Sequence, residues 1–379
     1  MPRPLMMTPG PTEVHEEVRQ AMARPLLNPD LDPDFFEFYR HAARKFARLI
    51  ETDNEVLILS GEGILGLEAA CASLIEPGDR VLCLDNGIFG RGFADFVRIY
   101  GGEPVFFTGD DRRPLDPDRL AEFLDKEHDF TLATLVHCET PSGVLNPVAD
   151  LAPRLHARGI LTVVDAVSSI GGEPFRADAW QVDVALGGSQ KCLSAPPGLT
   201  LISLSDAARR RLADRRRPIA SFYGDLSLWR DWYEQKWFPY TQPVSDLYAL
   251  DAALDRRLAD PDAPGRHRRL GEAVRQTLTA AGLELYPRAG WSHTVTAFCP
   301  PAGLSEADIR NELLRRHNIL LAGAFDRLAG KVIRIGHMGE NCREDKLFRT
   351  FRGLDQSLRS LGFIPAVSMA EAFARHLAE

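Results

Sequence analysis

The sequence predicts an α/β fold: a mostly parallel, seven-stranded sheet flanked by helices, followed by a smaller C-terminal α+β domain. Two observations carry this. From residue 55 onward, short and nearly unbroken apolar runs alternate with longer stretches of helical pattern, and beyond about residue 205 the alternation stops. Apolar runs without polar interruption belong to strands buried on both faces, which is what crossover helices do to a parallel sheet. The length agrees, because 379 residues at roughly 150 per domain make two to three domains. A composition of 45% hydrophobic and 26% charged residues is that of a globular protein and excludes disordered, collagenous and coiled-coil classes.

In chain order, VLIL (56–59) precedes the helical GILGLEAACASLI, VLCL (81–84) precedes IFGRGFADFVRIY, and PVFF (104–107) leads to DPDRLAEFLDK. LATLV (132–136), the helix LAPRLHAR, LTVVD (161–165), VDVALGG (182–188) and LTLISL (199–204) complete seven predicted strands. Ligands of such sheets sit beyond the carboxyl ends of the strands. Past residue 205 a basic helix, RRRLADRRRP, runs into SFYGDLSLWRDWYEQKWFPYTQP. That segment carries three of the five tryptophans without a clear period, as expected of a stretch draped over the core or over a second subunit. A helix from about Ser245 to Ala259 leads into DPDAPGR, the strongest linker signal of the chain. Helices near 266–282 and 305–317, with strand-like HTVTAF and KVIRIGH, form the smaller domain. The expected division is an N-terminal arm (1–20), a large domain (21–258) and a small domain (259–379).

Lys plus Arg at 45 against Asp plus Glu at 53 leaves a net charge of -8, so no whole-chain field draws nucleic acid or an anionic membrane. Any anion has to be held locally. The run Arg209, Arg210, Arg211, Arg215, Arg216 and Arg217 is short and interrupted, and reads as a solvated helix face. Cys71, Cys83, Cys138, Cys192, Cys299 and Cys342 lack CxxC spacing, which points to free thiols in a reducing compartment. No stretch approaches the ~20 apolar residues of a membrane span, the N-terminus has no secretory pattern, and HLAE is no peroxisomal address. A cytoplasmic location is expected. His137 has no partners at ligand spacing, so a satisfied histidine at the edge of a site is expected there, and no metal.

The most informative stretch is VVDAVSSIGG to DVALGGSQKCLSAPPGLT. Asp165 closes an apolar strand at the edge where this sheet places ligands; alone, it reads as a turn cap. Lys191 follows a strand and the small-residue turn Gly187, Gly188 and Ser189, so a tight loop presents it beside the sheet. An ammonium near a low-dielectric interior has its neutral form favoured, which suits a Schiff-base lysine. A lysine that forms an imine and an aspartate that keeps a pyridinium nitrogen protonated are what pyridoxal chemistry asks of a protein.

The ordered set SGEG, NGIFG, ETPSGV, DAVSSIGG, SQKCLSAPPGLT and RIGHMG resembles the class V aminotransferases of the fold-type I pyridoxal-phosphate superfamily, from TPGP at 8–11 to RIGHMG at 334–339. It is most similar to the alanine or serine–glyoxylate (pyruvate) branch. The resemblance implies pyridoxal 5'-phosphate as cofactor, small amino and 2-oxo acids as substrates, and a homodimer or homotetramer. It makes Lys191 the Schiff-base and proton-shuttling lysine, and Asp165 the partner of the pyridine nitrogen. It makes Phe89 the aromatic stacked on the ring, a residue that by type alone would be core. Thr140, Val167 and Gln190 match cofactor-contacting positions, Gly61, Glu62 and Gly63 match the phosphate loop, and Thr241 matches a phosphate ligand from the neighbouring subunit. Arg334, by type a surface residue, matches the arginine that forks onto the substrate carboxylate.

Two positions depart from the alanine–glyoxylate pattern. Glu62 puts a carboxylate beside the expected phosphate, and Phe238 replaces a tyrosine phosphate ligand. Both resemble the pyridoxamine–pyruvate branch, in which unphosphorylated pyridoxamine and pyridoxal are substrates and this Glu meets the bound ring, although in GAFDRLAGK (323–331) only Arg327 stands near that branch's second arginine. The sequence therefore supports a small-acid aminotransferase using pyridoxal phosphate, with pyridoxamine–pyruvate transfer as the alternative. A lyase or cysteine desulfurase shares the scaffold, with Cys342 as its one candidate nucleophile.

Overall fold

The computed structural model describes residues 3–378. The chain begins with β1 (Leu5–Met6), α1 (Glu16–Ala21) and α2 (Pro33–Leu49), then alternates: β2 (Glu55–Ser60), α3 (Gly63–Leu74), β3 (Arg80–Asp85), α4 (Ile88–Ile99), β4 (Glu103–Thr108), α5 (Pro117–Leu124) and β5 (Leu132–Val136). A hairpin of β6 (Cys138–Glu139) and β7 (Val144–Leu145) precedes α6 (Val148–His156), β8 (Leu161–Asp165), β9 (Val184–Gly188), β10 (Leu199–Leu204) and α7 (Asp206–Ala213). After α8 (Trp232–Gln235), α9 (Val244–Leu258) and α10 (Ala263–Ala280) come β11 (Val295–Phe298), α11 (Glu306–His317), β12 (Ile319–Leu320), β13 (Ile333–Gly336), α12 (Glu344–Ser360) and α13 (Met369–Ala378).

Seven strands form the main sheet in the order β2-β10-β9-β8-β5-β3-β4. Only β10 is antiparallel to its neighbours. The carboxyl ends of β2, β3, β5, β8 and β9 therefore share one edge, and the turns after them converge there. Burial on both faces explains the apolar runs: β5, β9 and β10 are buried at every residue. A second apolar core is built from α10, α11, α12, α13 and the short strands, and it includes Leu5 and Met7 because β1 pairs in parallel with β12.

DPDAPGR is less of a linker than its composition predicts. Pro264 and Gly265 lie in the first turn of α10, where a proline's missing N–H has no partner to lose. The basic segment is likewise more than a solvated face. Arg211 and Arg215 donate to the carbonyls of Ser73, Leu74 and Ile75 at the end of α3, satisfying groups that the helix leaves open.

Candidate active site

The site is assembled from the turns at the carboxyl edge of the sheet. Lys191 follows β9 in a loop pinned by Ser189, whose hydroxyl donates to the Pro196 carbonyl at 2.6 Å. The N-terminal arm closes over this loop. Thr12 bonds the carbonyls of Gln190 and Lys191, and the Lys191 Nζ donates to the Pro9 carbonyl at 2.7 Å. Gly10 has a φ of +98°, and a Cβ there would lie 2.6 Å from Nζ, so this approach requires glycine. Burial lowers the Lys191 pKa and the nearby Arg334 lowers it further, while Asp165 opposes both.

Asp165 ends β8 and accepts from the Val167 N–H at 2.9 Å. Burial raises its carboxyl to about 6, against the Val167 bond and the Lys191 charge, and Glu62 adds to the rise. Val167 packs against Gly63 and Gly188, where added Cβ atoms would come within 2.9 Å and 2.8 Å of its methyls. These two glycines exist to admit that side chain. Gln190 is buried and its Oε1 has no hydrogen-bond partner among the described residues.

Arg334, on β13, is buried rather than at the surface, with 8% exposure. Its Nε donates to the Gly323 carbonyl at 2.7 Å and its Nη1 to the Thr140 carbonyl at 3.3 Å, joining the small domain to the turn after β6. Burial, then Arg310, lowers its pKa to about 10. Thr140 also donates to Ser168 at 2.5 Å, within the turn that carries Asp165 and Val167. Phe89 lies at the start of α4, half-buried, its N–H bonded to Glu139.

Glu139 carries a role that its place in ETPSGV did not disclose. Fully buried, it accepts from the Phe89 and Gly90 N–H groups at 3.2 Å and 2.6 Å and so caps the helix that presents Phe89. Burial lifts its carboxyl to about 7 in spite of those bonds. A side chain that caps a helix fifty residues away leaves no local pattern to read.

Glu62 is exposed and caps α3 itself, its carboxylate accepting from the Ile64 N–H at 3.2 Å. Gly61, with φ +154°, turns the chain between β2 and this cap and donates to the Gly198 carbonyl at 2.7 Å. Thr241 is exposed, and no hydrogen bond joins it to the others. Phe238 packs within this chain and offers no hydrogen-bond donor. It is 4% exposed and stacks on Phe36 at 4.8 Å and on Trp232 at 5.3 Å, because a ring without a polar atom is best placed in an aromatic core. Arg327 pairs with Asp111 at 3.5 Å on the rim. His137 is buried and bonded to Ser169 at 2.9 Å, and burial pulls its pKa to about 4. Cys342 is buried rather than looped out, and burial raises its thiol to about 12, which removes it as a nucleophile.

The Aminotransferase class-V family model matches residues 12–319. An uncharacterized aminotransferase of Methanocaldococcus jannaschii is 36% identical over 95% of this chain and 94% of its own length. The pyridoxamine–pyruvate transaminase of Mesorhizobium japonicum is 33% identical over 94% of this chain and 92% of its own. The crystal structure of ureidoglycine–glyoxylate aminotransferase from Bacillus subtilis superposes with a TM-score of 0.95 at 31% identity, covering 100% of this chain and 99% of that one. With its main sheet, its carboxyl-edge site and these relatives in agreement, the chain belongs to the class V aminotransferases.

Proposed function

We propose that this enzyme moves an amino group from a small donor of the alanine or serine type to glyoxylate or pyruvate, with pyridoxal 5'-phosphate anchored on Lys191. One observation carries the reading: Arg334 is buried and Lys191 half-buried, and neither forms an ion pair within 4.0 Å among the described residues. An uncompensated buried cation is costly, and a substrate carboxylate on Arg334 relieves it while placing the reacting carbon. The residues fit the cofactor. Asp165 has a carboxylate oxygen beyond the one bonded to Val167, Gln190 offers its unpartnered Oε1, and Phe89 and Val167 offer apolar surface for a ring.

When bound, pyridoxal phosphate supplies an electron sink for the substrate α-carbon. The chain supplies the rest. Lys191, with its pKa lowered, is a nucleophile and proton carrier at Nζ, and Asp165 keeps a ring nitrogen protonated. Arg334 forks onto the carboxylate, Thr140 and Gln190 donate or accept at the ring, and Thr241 reaches the phosphate of a partner in a homodimer. Cytoplasmic residence is supported by six free cysteines, five of them buried. No described helix is long and apolar enough to cross a membrane. The two apolar cores support an arm of 1–20, a large domain of 21–258 and a small domain of 259–379.

The second reading, pyridoxamine plus pyruvate to pyridoxal plus alanine, is favoured by one contact: Glu62 takes the Ile64 N–H at the helix terminus where a phosphate would otherwise bind. Phe238, which has no hydroxyl to donate, is consistent with the same reading. One set of measurements tests both. Borohydride reduction and peptide mapping should find the cofactor on Lys191, and Lys191→Ala should abolish pyruvate formation from alanine and glyoxylate. Reduction onto another lysine overturns the assignment. Tight binding of the phosphate over free pyridoxal, unchanged in Glu62→Ser, supports the first reading; a preference for free pyridoxal that Glu62→Ser reverses supports the second.

A further inference from the structure

We infer that Phe325 is a specificity-determining residue that restricts the enzyme to monocarboxylate substrates with small or apolar side chains and excludes dicarboxylates. The inference rests on the proposed role of Arg334 and holds whether or not the cofactor keeps its phosphate.

The loop between β12 and β13 spans the two sides of the site. At one end the Gly323 carbonyl holds the Arg334 Nε at 2.7 Å. Two residues later the Phe325 ring stands 5.9 Å from the Phe89 ring at 74°, an edge-on contact between the small and large domains. Two residues of extended chain reach only about 7 Å, so the segment that orients Arg334 also fixes the Phe325 ring, and on this inference the side chain of a substrate held by Arg334 meets that ring. The loop is not free to carry the ring away. Leu328 is 3% exposed in a cluster with Ala297, Val332, Ile88 and Tyr286, and Arg327 pairs with Asp111. Phe325 is nevertheless 45% exposed, a large apolar ring left at the mouth of a site.

Among the described residues, the arginines at this mouth are already engaged. Arg327 is engaged by Asp111, Arg310 by Glu306, and Arg334 is committed to the first carboxylate. Glu62 adds a repelling charge near enough to act on Asp165. A second carboxylate would thus lose water against a phenyl ring and gain no partner. A methyl group loses nothing there, and a hydroxymethyl group loses far less than a carboxylate.

The test compares kcat/KM for alanine and aspartate in the wild type, Phe325→Arg and Phe325→Leu, alongside calorimetric binding of propionate and succinate, which do not react. The wild type should favour alanine by about 100-fold or more, as a pocket lacking a partner for a charged group should. Phe325→Arg should shift that ratio towards aspartate by about tenfold or more and tighten succinate over propionate, and Phe325→Leu should keep the wild-type ratio. Amino transfer with equal use of the two donors, or a ratio and a succinate affinity indifferent to arginine, overturns the role of Phe325 alone. Absence of transfer from any small amino acid, with propionate unbound, overturns the reading of Arg334 on which it rests.

Discussion

At Asp165, burial and charge pull in opposite directions, and burial wins, lifting the carboxyl to about 6. In the folded chain this group holds its proton more tightly than in the unfolded one. Its contribution to stability is therefore lost as pH rises from the ordinary carboxylate range through about 6. Affinity for a cationic ring nitrogen runs the other way, because only the ionised carboxylate pairs with it. The apoprotein's affinity for pyridoxal phosphate should fall as pH drops through 6, approaching about tenfold per unit, and Asp165→Asn should lack that component. Titrating both proteins between pH 5 and 8 checks this; identical profiles would remove Asp165 from the ring. Glu139 is the companion case, a buried carboxylate that titrates near 7 yet acts through backbone N–H groups, setting where Phe89 stands.

At the scale of elements, the aperiodic stretch 222–240 divides its aromatics. Trp229, Trp232 and Phe238 turn inward onto Phe35, Phe36 and Tyr39 of α2, whereas Phe222, Tyr223 and Trp237 stay 60%, 52% and 48% exposed. Phe238 is thus a packing residue of α2. Phe238→Ala should destabilise the protein by about 3–5 kcal/mol, as large-to-small changes in a tight core do, with the thermal midpoint falling accordingly. Differential scanning calorimetry decides it; an unchanged midpoint would mean that the ring is not buried in solution.

The exposed remainder of that segment belongs to the whole molecule. Phe222 and Tyr223, in contact with each other, and Trp237 and Ile64 are large apolar side chains left exposed, the kind of surface a second copy covers. In the homodimer we propose, an exposed Thr241 would stand within a partner's reach. Sedimentation at low micromolar concentration should return twice the mass of one chain, and Trp237→Glu should shift the equilibrium towards monomer with loss of activity. A stable, active monomer would contradict this.

Periodicity by itself determined the seven strands of the sheet, because strands covered on both faces read as unbroken apolar runs; only β4, at the edge, is largely half-buried. The loop lysine was legible from its place after a buried strand and a small-residue turn, whereas the strand-terminal aspartate alone reads as a turn cap and takes its proposed role from the family motif. Only the tertiary structure decided the rest. Arg334 reads by type as a surface residue until β13 folds it against Thr140, and nothing in the local pattern tells that Phe238 packs on α2. Glu139 and Phe325 are unremarkable in the chain because their partners, the start of α4 and the ring of Phe89, are brought to them by crossovers of tens to hundreds of residues. Local pattern records which face of an element is buried. It does not record what that face is buried against.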